Sequence, residues 1–352
     1  MMKEGQVKSI NARDHVRLRP GMYIGSTGKD GMHNLLIGVM RFLCEENRPN
    51  SEIVINLSNE ITTLKFKGTA LNQLLESDTV KTLNGLTGFG TKINGTNDSF
   101  WVVTLFHLSS YLKVGASNGD IAVLNDGEFD FTATNVEQGS WFNIDFKLDD
   151  EILETTSFSK AILRTECEKL AALCSNVQLE LLDSRDGCNY QERFTMEGEL
   201  VQLFNNKIEQ HDAIYPDAYR VYPNAPNFHV KINEPELSLE LVFVPSLYEG
   251  TIEKTYYSFL NLTEGGSHVS YFKMRLKKLN KKLNADYDSY NNDLKYYHLM
   301  TNIKAKEDFC FVGPTKTRIE DPSLVQIMKR AMDKLEPEII AYFSDQNSSL
   351  SN

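Results

Sequence analysis

The sequence predicts an α+β fold: one mixed sheet with helices on one face, followed by a smaller α/β domain. Three observations carry this expectation. Segments with apolar residues at helical spacing are interspersed with segments of strict alternation. Several alternating segments are joined by short Asn-Gly or Asp-Gly turns, as in hairpins. A proline-rich connection (Pro216, Pro223, Pro226) then interrupts the pattern and marks a domain junction. The expected organisation is a first domain over 1–207, a second over 208–345 and a polar tail over 346–352.

The elements follow in order. An extended Arg19-Pro20-Gly21 segment leads into a tight turn, and Met32–Glu46 reads as a helix with Leu35, Leu36, Val39, Phe42 and Leu43 on one face. Ser51–Leu57 alternates through Ile53 and Ile55, and Ile61–Phe66 reads as its neighbour across a short Asn-Glu turn. Glycine and asparagine punctuate 84–97, which reads as a loop. Phe100–Leu112 reads as a helix, Lys113–Phe131 as strands turning at Asn118-Gly119 and Asp126-Gly127, Gly139–Phe146 as a strand and Ser157–Leu173 as a helix. Another helix begins in Met196–Asn205. Beyond the prolines, Leu237–Val244 and Thr255–Leu262 read as strands, His268–Leu283 as a basic helix, 284–298 as a loop and Ser323–Phe343 as a last helix. Ser344–Asn352 reads as a frayed tail.

Composition narrows the function classes. The chain has 352 residues, 41% hydrophobic and 24% charged, ordinary for a globular protein with a large core. No apolar run approaches the roughly 20 residues that span a bilayer, and Met1–Gln6 lacks the apolar core of a signal peptide. A cytoplasmic protein without a membrane partner is expected. Five cysteines (Cys44, Cys167, Cys174, Cys188, Cys310) without a Cys-x-x-Cys pair argue against a disulfide framework and a zinc site, and read as buried thiols. A net charge of −11 disfavours broad affinity for polyanions. The exception is the run Lys273, Arg275, Lys277, Lys278, Lys281 and Lys282, a candidate anion or DNA surface.

The segment Val16-Arg17-Leu18-Arg19-Pro20-Gly21-Met22-Tyr23-Ile24-Gly25 closely resembles the opening of the ATPase domain of bacterial type IIA topoisomerases, in the gyrase B and topoisomerase IV B proteins. The likeness returns at Leu108–Val114, at Gly139-Ser140, at Gly265-Gly266-Ser267-His268 and at Gly313-Pro314-Thr315-Lys316. This order implies a GHKL-superfamily sandwich followed by a transducer domain of the ribosomal protein S5-like kind. Lys316 matches a transducer lysine that reaches the γ-phosphate in the family, and Ser140 matches a threonine that helps hold adenine.

The departures fall where the family's chemistry resides. Counting from Pro20-Gly21-Met22-Tyr23, the resemblance puts the glutamate that activates water at Gly38 and the magnesium-binding asparagine at Phe42. Asn34 stands where a histidine orients that glutamate. The aspartate that accepts from adenine aligns with Lys67, beside Gly68, or one residue earlier with Phe66; lysine only donates and phenylalanine has no acceptor. The glycine-rich lid aligns with Gly95–Trp101, which keeps one glycine and adds Asp98, Phe100 and Trp101. The resemblance then implies no catalytic and no metal-binding residue, leaving Lys67, Gly68, Ser140 and Lys316 as a degenerate nucleotide site.

The expected function is a catalytically degenerate, non-hydrolysing scaffold or regulator with a protein partner, such as a topoisomerase subunit, and no cofactor. ATP and magnesium enter only under the alternative, an ATP-hydrolysing type II DNA topoisomerase subunit. A DNA-binding module is the further alternative. With a short arm before Val16 and a lid short of glycine, a monomer or a nucleotide-independent weak homodimer is expected.

Overall fold

The computed structural model describes residues 12–46, 51–67, 99–116, 119–125, 128–131, 141–174, 177–195, 200–214, 221, 225–246, 251–286, 294–306, 309, 311–312 and 317–350. The chain divides into two compact units, Met1–Gly198 and Glu199–Asn352.

The first unit opens with helices α1 (Ala12–Leu18), α2 (Gly21–Ile24) and α3 (Lys29–Glu46). Strands β1 (Ser51–Leu57) and β2 (Thr62–Lys67), helix α4 (Ser99–Leu108), and strands β3 (Ser109–Ala116), β4 (Gly119–Asn125), β5 (Glu128–Phe131) and β6 (Trp141–Leu148) follow. Helix α5 (Lys160–Leu173) and strands β7 (Val177–Asp183) and β8 (Tyr190–Phe194) complete the unit. The strands form one sheet in the order β5-β4-β3-β6-β2-β1-β7-β8. It is mixed, because β1 runs parallel to β7 while the other pairs are antiparallel. Alternation places Ile53, Ile55 and Leu57, Leu64 and Phe66, Phe142, Ile144 and Phe146, and Leu179 and Leu181 in the core. The helices supply Leu35, Leu36, Val39, Leu105, Leu163 and Leu170 to the same core, so one helical layer covers one face.

The second unit contains α6 (Leu200–Ile214), β9 (Phe228–Asn233), β10 (Leu237–Ser246), β11 (Glu253–Tyr257), β12 (Leu260–Asn261), α7 (Ser267–Asp286), β13 (Tyr296–Ala305) and α8 (Pro322–Leu350). Its sheet has the order β12-β11-β13-β10-β9, with β11 parallel to β13. Phe272, Leu276, Leu279 and Leu283 of α7 and Leu324, Ile327, Met328, Ala331 and Leu335 of α8 pack with Leu239, Leu241, Phe243 and Leu299 of the sheet. Among the described residues no helix is long and apolar enough to cross a membrane, and no cluster of metal-ligating side chains occurs.

Several local expectations are corrected. Val16–Leu18 is helical, and Pro20 has φ −59° and ψ −35° at the start of α2, where a missing N–H costs nothing. The helix expected through Leu112 stops at Leu108, and Ser109 starts β3 against β6. Arg13 of α1 donates to the carbonyls of Phe106 (3.2 Å) and Ser109 (3.0 Å), supplying donors at that helix end. Ser344–Leu350 continues α8 rather than fraying. The supposed loop 284–298 is helical through Asp286 and a strand from Tyr296. Cys188 is exposed, whereas Cys44, Cys167 and Cys174 are buried. The loop 84–97, the turn residues Asn118, Asp126 and Gly127, and Cys310 lie outside the described residues.

Candidate functional site: the α3 face and the α7 surface

Helix α3 is held by its flanks. A Cβ at Gly31 would come 1.8 Å from the carbonyl oxygen of Ser26, so the turn between α2 and α3 approaches the helix too closely for any side chain. His33, one turn in, is clamped at both ring nitrogens. Its Nδ1 donates to the Lys29 carbonyl (2.7 Å) and its Nε2 accepts from the Ser159 N–H (2.8 Å). Those two bonds fix a neutral imidazole, and burial holds its pKa below the ordinary histidine value. The strand-to-helix connection before α5 is thereby tied to α3.

Gly38 is buried in the middle of α3, a position where glycine costs about 1 kcal/mol relative to alanine. Its neighbour explains it. A Cβ at residue 38 would lie 2.1 Å from Cδ2, 2.5 Å from Cγ and 2.6 Å from Cε2 of Trp101. The indole of α4 therefore rests directly on the glycine backbone. Trp101 meets Phe100 edge-on at 5.3 Å, and Phe100 stacks on Tyr23 at 6.0 Å. Tyr23 is joined to His15 of α1 through a 2.5 Å hydrogen bond. One turn beyond Gly38, Phe42 is 1% exposed, within the core. The inward placement of Phe42 agrees with expectation.

Sequence reasoning places Phe100 and Trp101 at the start of a helix and, through the resemblance, reads them as bulky additions to a lid, without naming their partner. The structure places both on the first turn of α4. A glycine inside an otherwise apolar helical face is the available signal for a ring packed against it.

The other expected positions separate. Lys67 ends β2 and is exposed. Asn34 is exposed, with its Nδ2 3.4 Å from the Ile24 carbonyl. Gly68, Ser140 and Lys316 lie outside the described residues.

On α7 the basic run divides into two classes. Arg275 is consumed by α8: Nε donates to Glu336 (2.7 Å), Nη2 to Asp333 (2.9 Å) and Nη1 to the Tyr271 hydroxyl (3.0 Å). Those partners push its pKa further up. Lys273 pairs with Glu253 at 2.8 Å. Lys277, Lys278, Lys281 and Lys282 are exposed and form no ion pair among the described residues. They share the helix face opposite Leu276, Leu279 and Leu283.

His268, in the first turn of α7, is wholly buried with its ring against Gly266, and neither nitrogen has a hydrogen-bond partner among the described residues. Burial lowers its pKa to about 3. His107, on α4, is equally buried and lowered to about 4.

No family model matches the chain. It is 26% identical over 368 residues to the DNA gyrase B protein of Streptococcus pyogenes serotype M1, covering 92% of this chain and 53% of that protein. The chain spans about half the length of the curated relatives it matches. Among solved structures, the 43K ATPase domain of Thermus thermophilus gyrase B, in complex with an aminocoumarin, superposes with a TM-score of 0.66 at 18% identity. That match covers 95% of this chain and 93% of the other. The topoisomerase IV ATP-binding domain of Francisella tularensis gives 0.65 at 15% identity over 98% of this chain and 100% of that one. In sequence the chain is similar to DNA gyrase B proteins, and its fold is that of the solved ATPase-domain structures of gyrase B and topoisomerase IV.

Proposed function

We propose that this protein is a catalytically degenerate relative of the gyrase B ATPase module, a non-hydrolysing scaffold or regulator that acts in the cytoplasm through a protein partner such as a topoisomerase subunit. The observation that carries this reading is the indole of Trp101 seated on Gly38. The implied general base is missing from the sequence, and its space is taken as well. Loss of a general base typically costs about 10²–10⁴ in rate. Phe42 offers no oxygen to magnesium, a cation that requires oxygen ligands, and its ring is committed to the core. Lys67 supplies donors where an adenine amino group needs an acceptor. These residues do not fit ATP and magnesium held as the family holds them.

Isothermal calorimetry with ATP and magnesium tests the reading. No saturable heat is expected. Micromolar binding that needs magnesium would favour the alternative, an ATP-hydrolysing topoisomerase subunit, which the names of the relatives support.

A second reading has its own observation. Four lysines of α7 without acidic partners among the described residues form a cationic strip that suits DNA or another polyanion. A duplex-binding assay over a salt series distinguishes it, because each neutralised phosphate adds about 0.9 to the slope of log affinity against log salt. Flat, unsaturable binding would remove this reading.

A further inference from the structure

At the far end of the first unit's sheet, a cavity of about 810 Å³ opens where β1 and β7 finish and β2 begins. Its volume lies within the roughly 300–1,000 Å³ of ordinary small-molecule pockets. Thr62, the first residue of β2, lines it, whereas Lys67 ends the same strand. At about 3.3 Å per residue, some 17 Å of strand separates the cavity from the position the resemblance assigns to adenine.

We propose that this cavity is a binding site for a small phosphorylated molecule. Its walls balance three cations, Lys147, Lys160 and Arg185, against three acids, Glu60, Asp183 and Asp186, with Lys147, Glu60 and Asp186 all exposed, and the placement of the half-buried charges favours an anion. Lys147 and Lys160 line it, and neither forms an ion pair among the described residues. Lys160 is half-buried, its ammonium 4.5 Å from the centre of the Tyr190 ring, so one cation is held in place. Asp183, the buried carboxylate of the wall, is already neutralised. Arg185 grips it with Nε on Oδ1 and Nη2 on Oδ2, both at 2.8 Å, and spends Nη1 on the Ser157 hydroxyl (3.2 Å) and the Phe158 carbonyl (2.7 Å). The remaining acids, Glu60 and Asp186, belong to exposed residues of two surface turns.

The walls also offer donors without charge. Ser157 accepts from Arg185, which leaves its own O–H to donate. Ser159 makes no side-chain cap bond at the start of α5, so its hydroxyl is uncommitted there. The first turn of α5 carries no acid, and its first residue, Lys160, lines the cavity. Two cations, hydroxyl donors and an internally neutralised carboxylate match phosphate oxygens, which accept several charge-assisted bonds at once.

Cys188 provides the readout. It lines the cavity and is exposed, whereas Cys44, Cys167 and Cys174 are buried. The rate of Cys188 alkylation, read by peptide mapping of the full chain, is measured against inorganic pyrophosphate. Saturable protection of Cys188 is expected in the parent protein and not with sodium chloride at equal ionic strength. In the Lys147→Gln/Lys160→Gln variant, the concentration for half-protection should rise about tenfold or more, the cost of losing contacts to charged groups. A thermal melt within the error of the parent's establishes that the variant folds. Protection that salt reproduces, protection unchanged in the variant, or no protection at millimolar pyrophosphate would each overturn the assignment. Because the readout sits at the end of the sheet opposite Lys67, neither outcome depends on whether ATP is hydrolysed.

Discussion

Helix α3 turns inward the positions that align with the family's base and metal ligand, and α7 turns its charges outward. On α3, Gly38 and Phe42 are buried, and a ring from α4 covers the glycine. On α7, two of the six basic residues are taken by acids and four face solvent. The difference shows which loss is reversible. A site position that has become part of a packed core cannot regain its polar side chain by one substitution, because the neighbour has filled the volume. A surface cation constrains nothing around it.

The comparison breaks most readily at Trp101. Trp101 is half-buried, so Trp101→Ala should cost about 1–3 kcal/mol in urea unfolding, less than the range for a wholly buried aromatic. A loss below about 1 kcal/mol would mean that the indole is not a packing element of the α3 face.

Acid comes next, because each region holds a buried histidine. His107 on α4 and His268 on α7 have folded-state pKa values of about 4 and about 3, below the ordinary 6.5. Their neutral forms are favoured in the folded state, so stability is full above pH 6.5 and falls as pH drops toward those values. At pH 5 each should cost roughly 2 kcal/mol relative to pH 7. Replacing one with leucine should flatten its share of the slope; an unchanged pH profile would mean that the ring is hydrated.

Gly38→Ala forces a Cβ into the indole and should cost about 1–3 kcal/mol, the range for overpacking. Combined with Trp101→Ala it should cost less than the sum, since the two residues share one volume. Strict additivity would contradict the contact. The smallest effect is expected on α7: replacing Lys277, Lys278, Lys281 and Lys282 together with glutamine should move stability by no more than about 0.5 kcal/mol. Arg275→Met removes charged hydrogen bonds to α8 and should cost about 1–2 kcal/mol. Equal effects for the two would erase the distinction between the paired and the open cations. Assembly offers a last check: sedimentation should give the same mass with and without ATP, and a nucleotide-dependent dimer would mean that the site still acts as a switch.

The layered plan of the first unit is legible in the sequence because β1, β2 and β6 alternate strictly and α3 keeps a clean apolar face. Periodicity misses the strands β7, β8, β9 and β13, although Val177, Leu179 and Leu181 alternate, because pairing with other strands holds them: β7 with β1 and β8, β9 with β10, and β13 with β10 and β11. The end of α4 is misplaced since Ser109–Leu112 holds no glycine or proline to stop a helix; the stop comes from pairing with β6 and from Arg13, both remote in sequence. At the candidate site, the missing carboxylate at residue 38 is visible from the resemblance. Its replacement by a ring 63 positions away is not, because contact between α3 and α4 is a tertiary fact.

Magnesium-dependent ATP turnover by the purified full chain tests the central claim most directly. The expected result is no phosphate release above a protein-free blank, for the parent and for a Phe42→Ala variant alike. Turnover by the parent chain that requires magnesium and saturates with ATP would show a working hydrolytic site and contradict the account.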